Sequence, residues 1–415
     1  MKNVLEVSGG RVLILVHRHE LVAQWLAEAR ALDLYVGFMA PSFGSNPNPQ
    51  APIQIAMVQT LNRKLSAHNK AHRISQPSMK PFFPNEFDLI IADECHLSGS
   101  QTYRNIFFHY GDSPIIGLTA TPSRLDGRGF AWASLLLEGP THYQLVQADA
   151  LVPFTTYSID TIDYRSLRRI AGDWSAKSQG FQFESQPLIG NVVNTYLEYA
   201  DGRSAITFAS TVEHSKKLRD EYSLRGIPAA HLDGSTPTKE RNRMIRDLDT
   251  GAIRQLCNVG VCTEGLNIRR VSCVSIAFAT LSINRWRQAA GRSLRTFPGK
   301  KDALILDHGG NGLRHGNLDY EHKWDITPRT ARLNKPMDGP AAKACPTCAA
   351  VMPSFAPTCE VCGEDLAPKE RKLKTKEGRL KKLASGTAPV ADSQATPRRS
   401  NKEKAAEITT WFKTL

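Results

Sequence analysis

Residues 87–96 read FDLIIADECH. The aliphatic run Leu89-Ile90-Ile91-Ala92 closes on two acids, Asp93 and Glu94. A run that is apolar at every position reads as a strand covered on both faces, as in a parallel sheet. Its two carboxylates then stand at the carboxyl edge of that sheet, where open α/β sheets bind ligands. Asp93 suits a Mg²⁺ ion held through water, and Glu94 suits polarisation of an attacking water. His96 is placed to link such a site to neighbouring loops. Acidic pairs after strands are also common as solvated strand ends, so this stretch by itself leaves both readings open.

The surroundings repeat the pattern. Upstream, RVLILV (11–16) is a further apolar run, leading into HELVAQWLAEAR (19–30), where Leu21, Trp25, Leu26 and Ala29 fall at helical spacing. Residues 53–58 and 115–118 give more short runs. Strands alternating with helices predict a parallel α/β sheet. Residues 141–195 lack a clear period and read as a connector with, at most, small strands. The alternation then resumes, with strands expected at 205–209, 229–232, 255–261, 271–279 and 303–307. Ser210-Thr211-Val212-Glu213 fits a capping box opening a helix that Gly226 ends. Thr236-Pro237 starts another, which buries Met244, Ile245 and Leu248 and stops at Gly251.

Two further stretches carry polar groups suited to the acidic edge. Thr119-Ala-Thr121-Pro122 follows a strand, so its hydroxyls are placed to relay the state of the carboxylates, although the same tetrapeptide is an ordinary turn. Gln288-Ala-Ala-Gly291-Arg292-Ser-Leu-Arg295 sets two arginines three apart, on one helical face. Planar guanidinium groups suit the charge developing on a γ-phosphate, and such a finger contributes ~10³–10⁵ in rate. A basic helix against a phosphate backbone or solvent is the plain alternative.

In order, the chain reads LILVHRHEL, AMVQTL, DECH, TATP, AITFAST, NVGVCTEGLN and QAAGRSLR. This series resembles the motifs of superfamily 2 helicases of the DEAD/DEAH-box kind, over roughly residues 10–310. ITFASTVEHSKK and ALILDHGGN look most like the RadD-type branch of bacteria and phages. The resemblance implies two RecA-like parallel-sheet lobes that close on ATP and couple its hydrolysis to movement on DNA in repair, recombination or replication. It implies Mg²⁺ on Asp93, Glu94 as general base, and coupling through His96 and Gln288. Arg292 and Arg295 would reach the γ-phosphate, Gly265 and Asn267 would line the nucleotide side, and Thr119 and Thr121 would transmit closure. Arg18, Thr60 and Ser210 would contact the backbone of a single strand, where phosphate contacts are sequence-blind. RNA stands as a second possible substrate.

The series departs from the family twice. Asn267 stands where the family has Asp. No Gly-Lys-Ser/Thr run exists in the 415 residues, whereas the family uses such a loop to cradle the phosphates. Gly299-Lys300-Lys301 lacks the hydroxyl and falls in the other lobe. The expectation is a first lobe truncated just downstream of the loop, missing a central strand, with weak or no ATP turnover by the chain alone. The alternatives are a nucleic-acid-binding pseudohelicase without catalysis, and the motor of a restriction complex whose nuclease lies elsewhere.

Composition adds a charge and a metal. Lys and Arg outnumber Asp and Glu 53 to 40, a net +13, as polyanion-binding proteins do. Residues 368–415 hold 13 basic against 5 acidic residues, so most of the surplus lies in a Lys-, Ala- and Ser-rich tail expected to be disordered. No apolar run approaches the ~18 residues of a membrane span, and MKNVLEVSGG has no secretory core, so a cytoplasmic protein is expected. Among eight cysteines, Cys345-Pro-Thr-Cys348 and Cys359-Glu-Val-Cys362 form two CxxC knuckles. That is the spacing of a four-cysteine zinc ribbon. A redox dithiol pair or an iron–sulfur site is the alternative. The ribbon or the tail would dock nucleic acid or a partner protein. The resulting layout is lobe 1 over 1–145, a connector over 146–195, lobe 2 over 196–312, a linker over 313–340, the ribbon over 341–366 and the tail over 367–415.

Overall fold

The first sheet is built from β1 (Val12–Val16), β2 (Val36–Met39), β3 (Ile53–Met57), β4 (Leu89–Asp93) and β5 (Ile115–Leu118). They lie in the order β2-β3-β1-β4-β5, all parallel, with Ile14 opposite Ile55 and Ile91. The computed structural model describes residues 10–40, 48, 50–73, 87–124, 129–159, 162–170, 172–184, 186–261, 268–320, 322, 324, 326–327 and 342–367. Everything below belongs to one unit, Met1–Ala367; the expected tail lies outside the described residues.

Alternation sets the two faces of this sheet. Val12, Ile14, Val16, Ile55 and Ile91 pack beneath Leu21, Val22 and Leu26 of α1 (His19–Ala31). Leu13, Leu15, Ala56, Ile90 and Ala92 pack on the other side, against Leu61 of α2 (Val58–Arg73) and Tyr103, Ile106 and Phe107 of α3 (Gln101–His109). Full burial of each such side chain contributes ~1.5–3 kcal/mol, so the double cover anchors the lobe. Among the described residues the sheet is continuous from β2 to β5. Its bare position is the outer edge: Ile116 and Leu118 of β5 are 46% and 41% exposed, and among the described residues no strand pairs beyond β5.

After α4 (His142–Gln147) comes β6 (Phe154–Ser158), a small antiparallel ladder of β7 (Arg169–Ile170) and β8 (Asp173–Trp174), then α5 (Ala176–Phe183) and α6 (Gln186–Ala200). The second lobe continues through β9 (Ala205–Ala209), α7 (Val212–Leu224), β10 (Ala229–Leu232), α8 (Thr238–Thr250), β11 (Gln255–Asn258), β12 (Cys273–Ala277), α9 (Ile283–Ala290), β13 (Ala303–Asp307) and α10 (Asn311–His315). Its sheet order is β10-β11-β9-β12-β13-β6, all parallel. Leu248 of α8 and Trp286 of α9 fill one face, and Val193 and Tyr196 of α6 with Leu218 and Tyr222 of α7 fill the other.

Several expectations shift. α8 begins at Thr238, just after Pro237 at the N-cap, and is closed by Gly251 at φ 87°, close to the expected bounds. The α7 cap moves one residue: Thr211, not Ser210, takes the N-cap and accepts from His214 N. Position N3 is therefore His214, so no capping box forms. The strands expected at 255–261 and 271–279 shorten to the ranges given above. β6 lies inside the segment read as connector, yet pairs with β13.

A hairpin of β14 (Ala342–Ala344) and β15 (Val351–Pro353) closes the described chain. It docks on β6: Ser158 N donates to Ala349 O at 3.1 Å, and Tyr157 bridges Ala350. The exposed outer edge of β6 is thereby covered, which removes a site for unwanted strand pairing. No helix among the described residues is long and apolar enough to cross a membrane.

Candidate active site

β4 delivers its carboxylates to the carboxyl end of the first sheet, as the apolar run predicts. Asp93 Oδ2 accepts from Trp25 Nε1 of α1 at 3.0 Å and Oδ1 from Glu94 N at 2.9 Å. Burial raises the Asp93 pKa, and the Trp25 bond works against that rise. Both oxygens keep lone pairs for a cation or its water. Glu94 holds φ 50° and ψ 48°, a left-handed backbone that costs of order 1–3 kcal/mol in a non-glycine residue and concentrates at functional sites. The turn brings Glu94 Oε2 to 3.2 Å from His96 Nδ1.

His96 continues the chain of contacts, its Nδ1 lying 3.2 Å from Thr119 Oγ1. Thr119 Oγ1 in turn donates to Thr121 O and accepts from Thr121 N, both at 3.1 Å. DECH and TATP thus meet as the sequence suggested, except that the hydroxyl bonds the histidine rather than the carboxylates. Cys95 between them is buried and its thiol is pushed up to about 12, chiefly by burial, which keeps it an inert core group.

The second lobe meets this loop directly. Asn284 Nδ2 of α9 donates to Ser123 O at 2.6 Å, two residues past Thr121. Gln288 lies one turn along α9 from Asn284, hence on the same face, and its Nε2 is buried without a partner among the described residues. The two arginines do not share a helical face. α9 stops at Ala290, Arg292 sits in a 3-10 turn (Gly291–Ser293), and Arg295 pairs its backbone with Leu151. Burial first, then Arg269, lowers the Arg295 pKa. Lys300, of the one Gly-Lys pair, is spent on backbone: its Nζ donates to Val271 O at 2.6 Å and Arg295 O at 2.7 Å. Gly265 and Asn267 lie outside the described residues.

A second site opens where β1 runs into α1 and β3 into α2. A cavity of about 470 Å³ is lined by Arg18, Glu20, Thr60, Arg63 and, from α8 of the other lobe, Arg241. Arg18 and Thr60, far apart in sequence, are brought to one wall. Ser210 is not: it is 3% exposed and its Oγ lies 3.0 Å from His214 Nδ1.

The four ribbon cysteines converge, their Sγ atoms all within 4.8 Å of one another. Cys345 and Cys362 stand 3.6 Å apart, Cys348 and Cys359 3.7 Å. Tetrahedral Zn–S bonds of ~2.3 Å imply sulfur separations of roughly 3.8 Å, so the set fits zinc. Each knuckle closes the same way, with Ala349 N on Cys345 O and Gly363 N on Cys359 O, and a positive φ at Ala349 (58°) and Gly363 (77°).

Sequence reasoning missed Trp25, Asn284, Arg63 and Arg241. Trp25 was counted only as helix core, although a half-buried indole needs a partner for its N–H. The others had no motif to mark them.

Two parallel-sheet lobes thus meet where Asn284 of α9 contacts the loop after β5, an arrangement of the two-lobed helicase class. Residues 1–124 match the model for the type III restriction enzyme res subunit, and residues 189–297 that for the helicase conserved C-terminal domain. A 51.5 kDa protein of Lactococcus phage (isolate 7-9) is 32% identical over 366 residues, covering 88% of this chain and 74% of that one. A Schizosaccharomyces pombe protein named as a mitochondrial ATP-dependent helicase is 30% identical over 318 residues, 73% of this chain; the chain spans 49% of its length. A fragment of a type I restriction HsdR subunit from Vibrio vulnificus YJ016 shares the fold at TM-score 0.54 and 18% identity, over 75% of this chain and 55% of that one. The chain belongs to the superfamily 2 helicases.

Proposed function

We propose that this chain is the motor of an ATP-driven enzyme that moves on or remodels DNA. The observation that supports the reading is the Asn284–Ser123 contact: it sets α9, the helix that bears Gln288 and leads to Arg292 and Arg295, against the loop after β5, whose Thr119 meets His96 of the acidic loop. Asp93 would hold Mg²⁺, which would supply positive charge to neutralise the phosphates. Glu94 takes the proton of the attacking water, and its strained turn aims it. Arg292 and Arg295 meet the charge developing on the γ-phosphate. His96, Thr119 and Thr121 pass the state of that site to Ser123 and so to the other lobe. No Gly-Lys-Ser/Thr run to cradle the phosphates occurs in the 415 residues.

Arg18 and Thr60 contact a single strand in the cavity, alongside Arg63. Cys345, Cys348, Cys359 and Cys362 would hold zinc, whose bonds would fix the hairpin that covers β6. The reading is tested by ATP turnover with and without single-stranded DNA in a polypeptide that carries a phosphate loop ahead of residue 1. DNA-stimulated turnover that Glu94→Gln abolishes supports it; turnover indifferent to Glu94 overturns it. The match of residues 1–124 to a restriction-enzyme model favours one second reading, a restriction motor. A co-purifying nuclease subunit would separate that from a free-standing helicase.

A further inference from the structure

The cavity between the lobes holds three arginines, Arg18, Arg63 and Arg241, and one carboxylate among its lining residues, Glu20. Glu20 sits in the first turn of α1 and Arg241 in the first turn of α8, 221 residues apart. Arg241 Nη1 donates to Glu20 Oε1 at 2.9 Å, so the pair ties one lobe to the other across the cavity. The bond is single-pronged. Arg241 Nε is buried and has no partner among the described residues, which leaves a donor of a charged group unsatisfied, a costly arrangement. Glu20 has 31% of its side chain exposed and Arg241 20%, so the acid can swing to water while the guanidinium stays in place.

We propose that Glu20 is a stand-in for a phosphate, and that a phosphodiester of a bound single strand displaces it from Arg241. A phosphodiester offers two non-bridging oxygens to Nε and Nη together, the forked geometry that guanidinium groups favour. A monodentate carboxylate does not supply that. The displaced link between the lobes is then rebuilt through the strand, held by Arg18 and Thr60 on one side and Arg241 on the other. Glu20 thereby keeps the cavity from closing on small anions and makes strand binding and lobe contact a single event. The inference rests on the nucleic-acid reading above.

The test is binding of a fluorescein-labelled oligothymidylate, followed by anisotropy across a salt series. It compares the full chain, Glu20→Gln, Arg241→Gln and the double variant, with Glu20→Asp as a control that keeps the acid. In the native chain the phosphate at Arg241 only replaces Glu20, so no counterion is released there. Glu20→Gln binds several-fold tighter, with the slope of log K against log salt steeper by about one. The gain vanishes in the Arg241→Gln background. Binding by all variants with no tightening in Glu20→Gln, or with equal tightening without Arg241, overturns the displacement alone. No binding by any variant removes the nucleic-acid reading itself, and the displacement with it.

Discussion

Thr119 stands between the acidic loop and the segment that contacts the second lobe. Its one hydroxyl meets His96 Nδ1, Thr121 N and Thr121 O. Thr119→Val keeps the shape and deletes the relay. A neutral hydrogen bond contributes about 1 kcal/mol, so denaturant unfolding should show a loss of that order. The ratio of DNA-stimulated to basal ATP turnover should fall far more than basal turnover itself. An unchanged ratio would mean that the hydroxyl only shapes a turn. At this scale much was legible, because Asp93, Glu94, His96 and the two threonines follow from strand ends and spacing. The arginines were half legible: their spacing was read as helical, but α9 stops one residue before Gly291. Ser210 was assigned by position in a motif, and burial against His214 is decided by packing that the motif does not encode.

Among the elements, the ribbon shows what a short segment needs in order to hold a shape. β14 and β15 have three residues each, too few for a core, and metal bonds to the four cysteines would replace one. The hairpin is not a free appendage. Tyr157 of β6 packs with Cys345, Cys348, Cys359 and Leu366 and lies tilted against Tyr199, ring centroids 4.5 Å apart. Elemental analysis of reduced protein should therefore find one zinc per chain. Cys345→Ser should lower the melting temperature of the second lobe, with about 2–4 °C lost for each kcal/mol in a unit of this size. No zinc, or an unaltered melt in Cys345→Ser, would contradict the account. The two CxxC pairs made the site readable. β6 was not, since Phe154-Thr-Thr-Tyr-Ser158 has little apolar content and owes its place to β13 and the hairpin. α8 was readable because Pro237 and Gly251 fix both ends by their own backbone preferences.

At the scale of the molecule, five histidines among the described residues are held neutral by packing. Burial lowers His142, His214, His308, His315 and His322 from an ordinary 6.5 to about 4. The unfolded chain takes up protons below about pH 6.5 that the folded chain refuses. Their stabilisation is complete above that pH and is lost progressively as pH falls toward 4. Asp93, Asp307 and Asp319 oppose this, since burial raises all three, Asp307 to about 6, and their contribution is lost as pH rises; they are three groups against five. The melting temperature should drop steeply between pH 6.5 and 4.5, with proton uptake on unfolding. A flat profile would contradict the burial of these rings. None of this long-range order was legible: Glu20 and Arg241 are joined only by the approach of two separately coded sheets.

The central claim is that Glu94 of one lobe and Arg292 of the other act on one triphosphate. A double-mutant cycle on DNA-stimulated ATP turnover tests it, in a polypeptide with a phosphate loop ahead of residue 1. Glu94→Gln and Arg292→Ala should each reduce turnover by at least ~10²-fold, and the double variant should lose little more than the worse single one. Arg292→Ala with undiminished turnover, or two losses that simply multiply, would show that the two groups do not share a reaction.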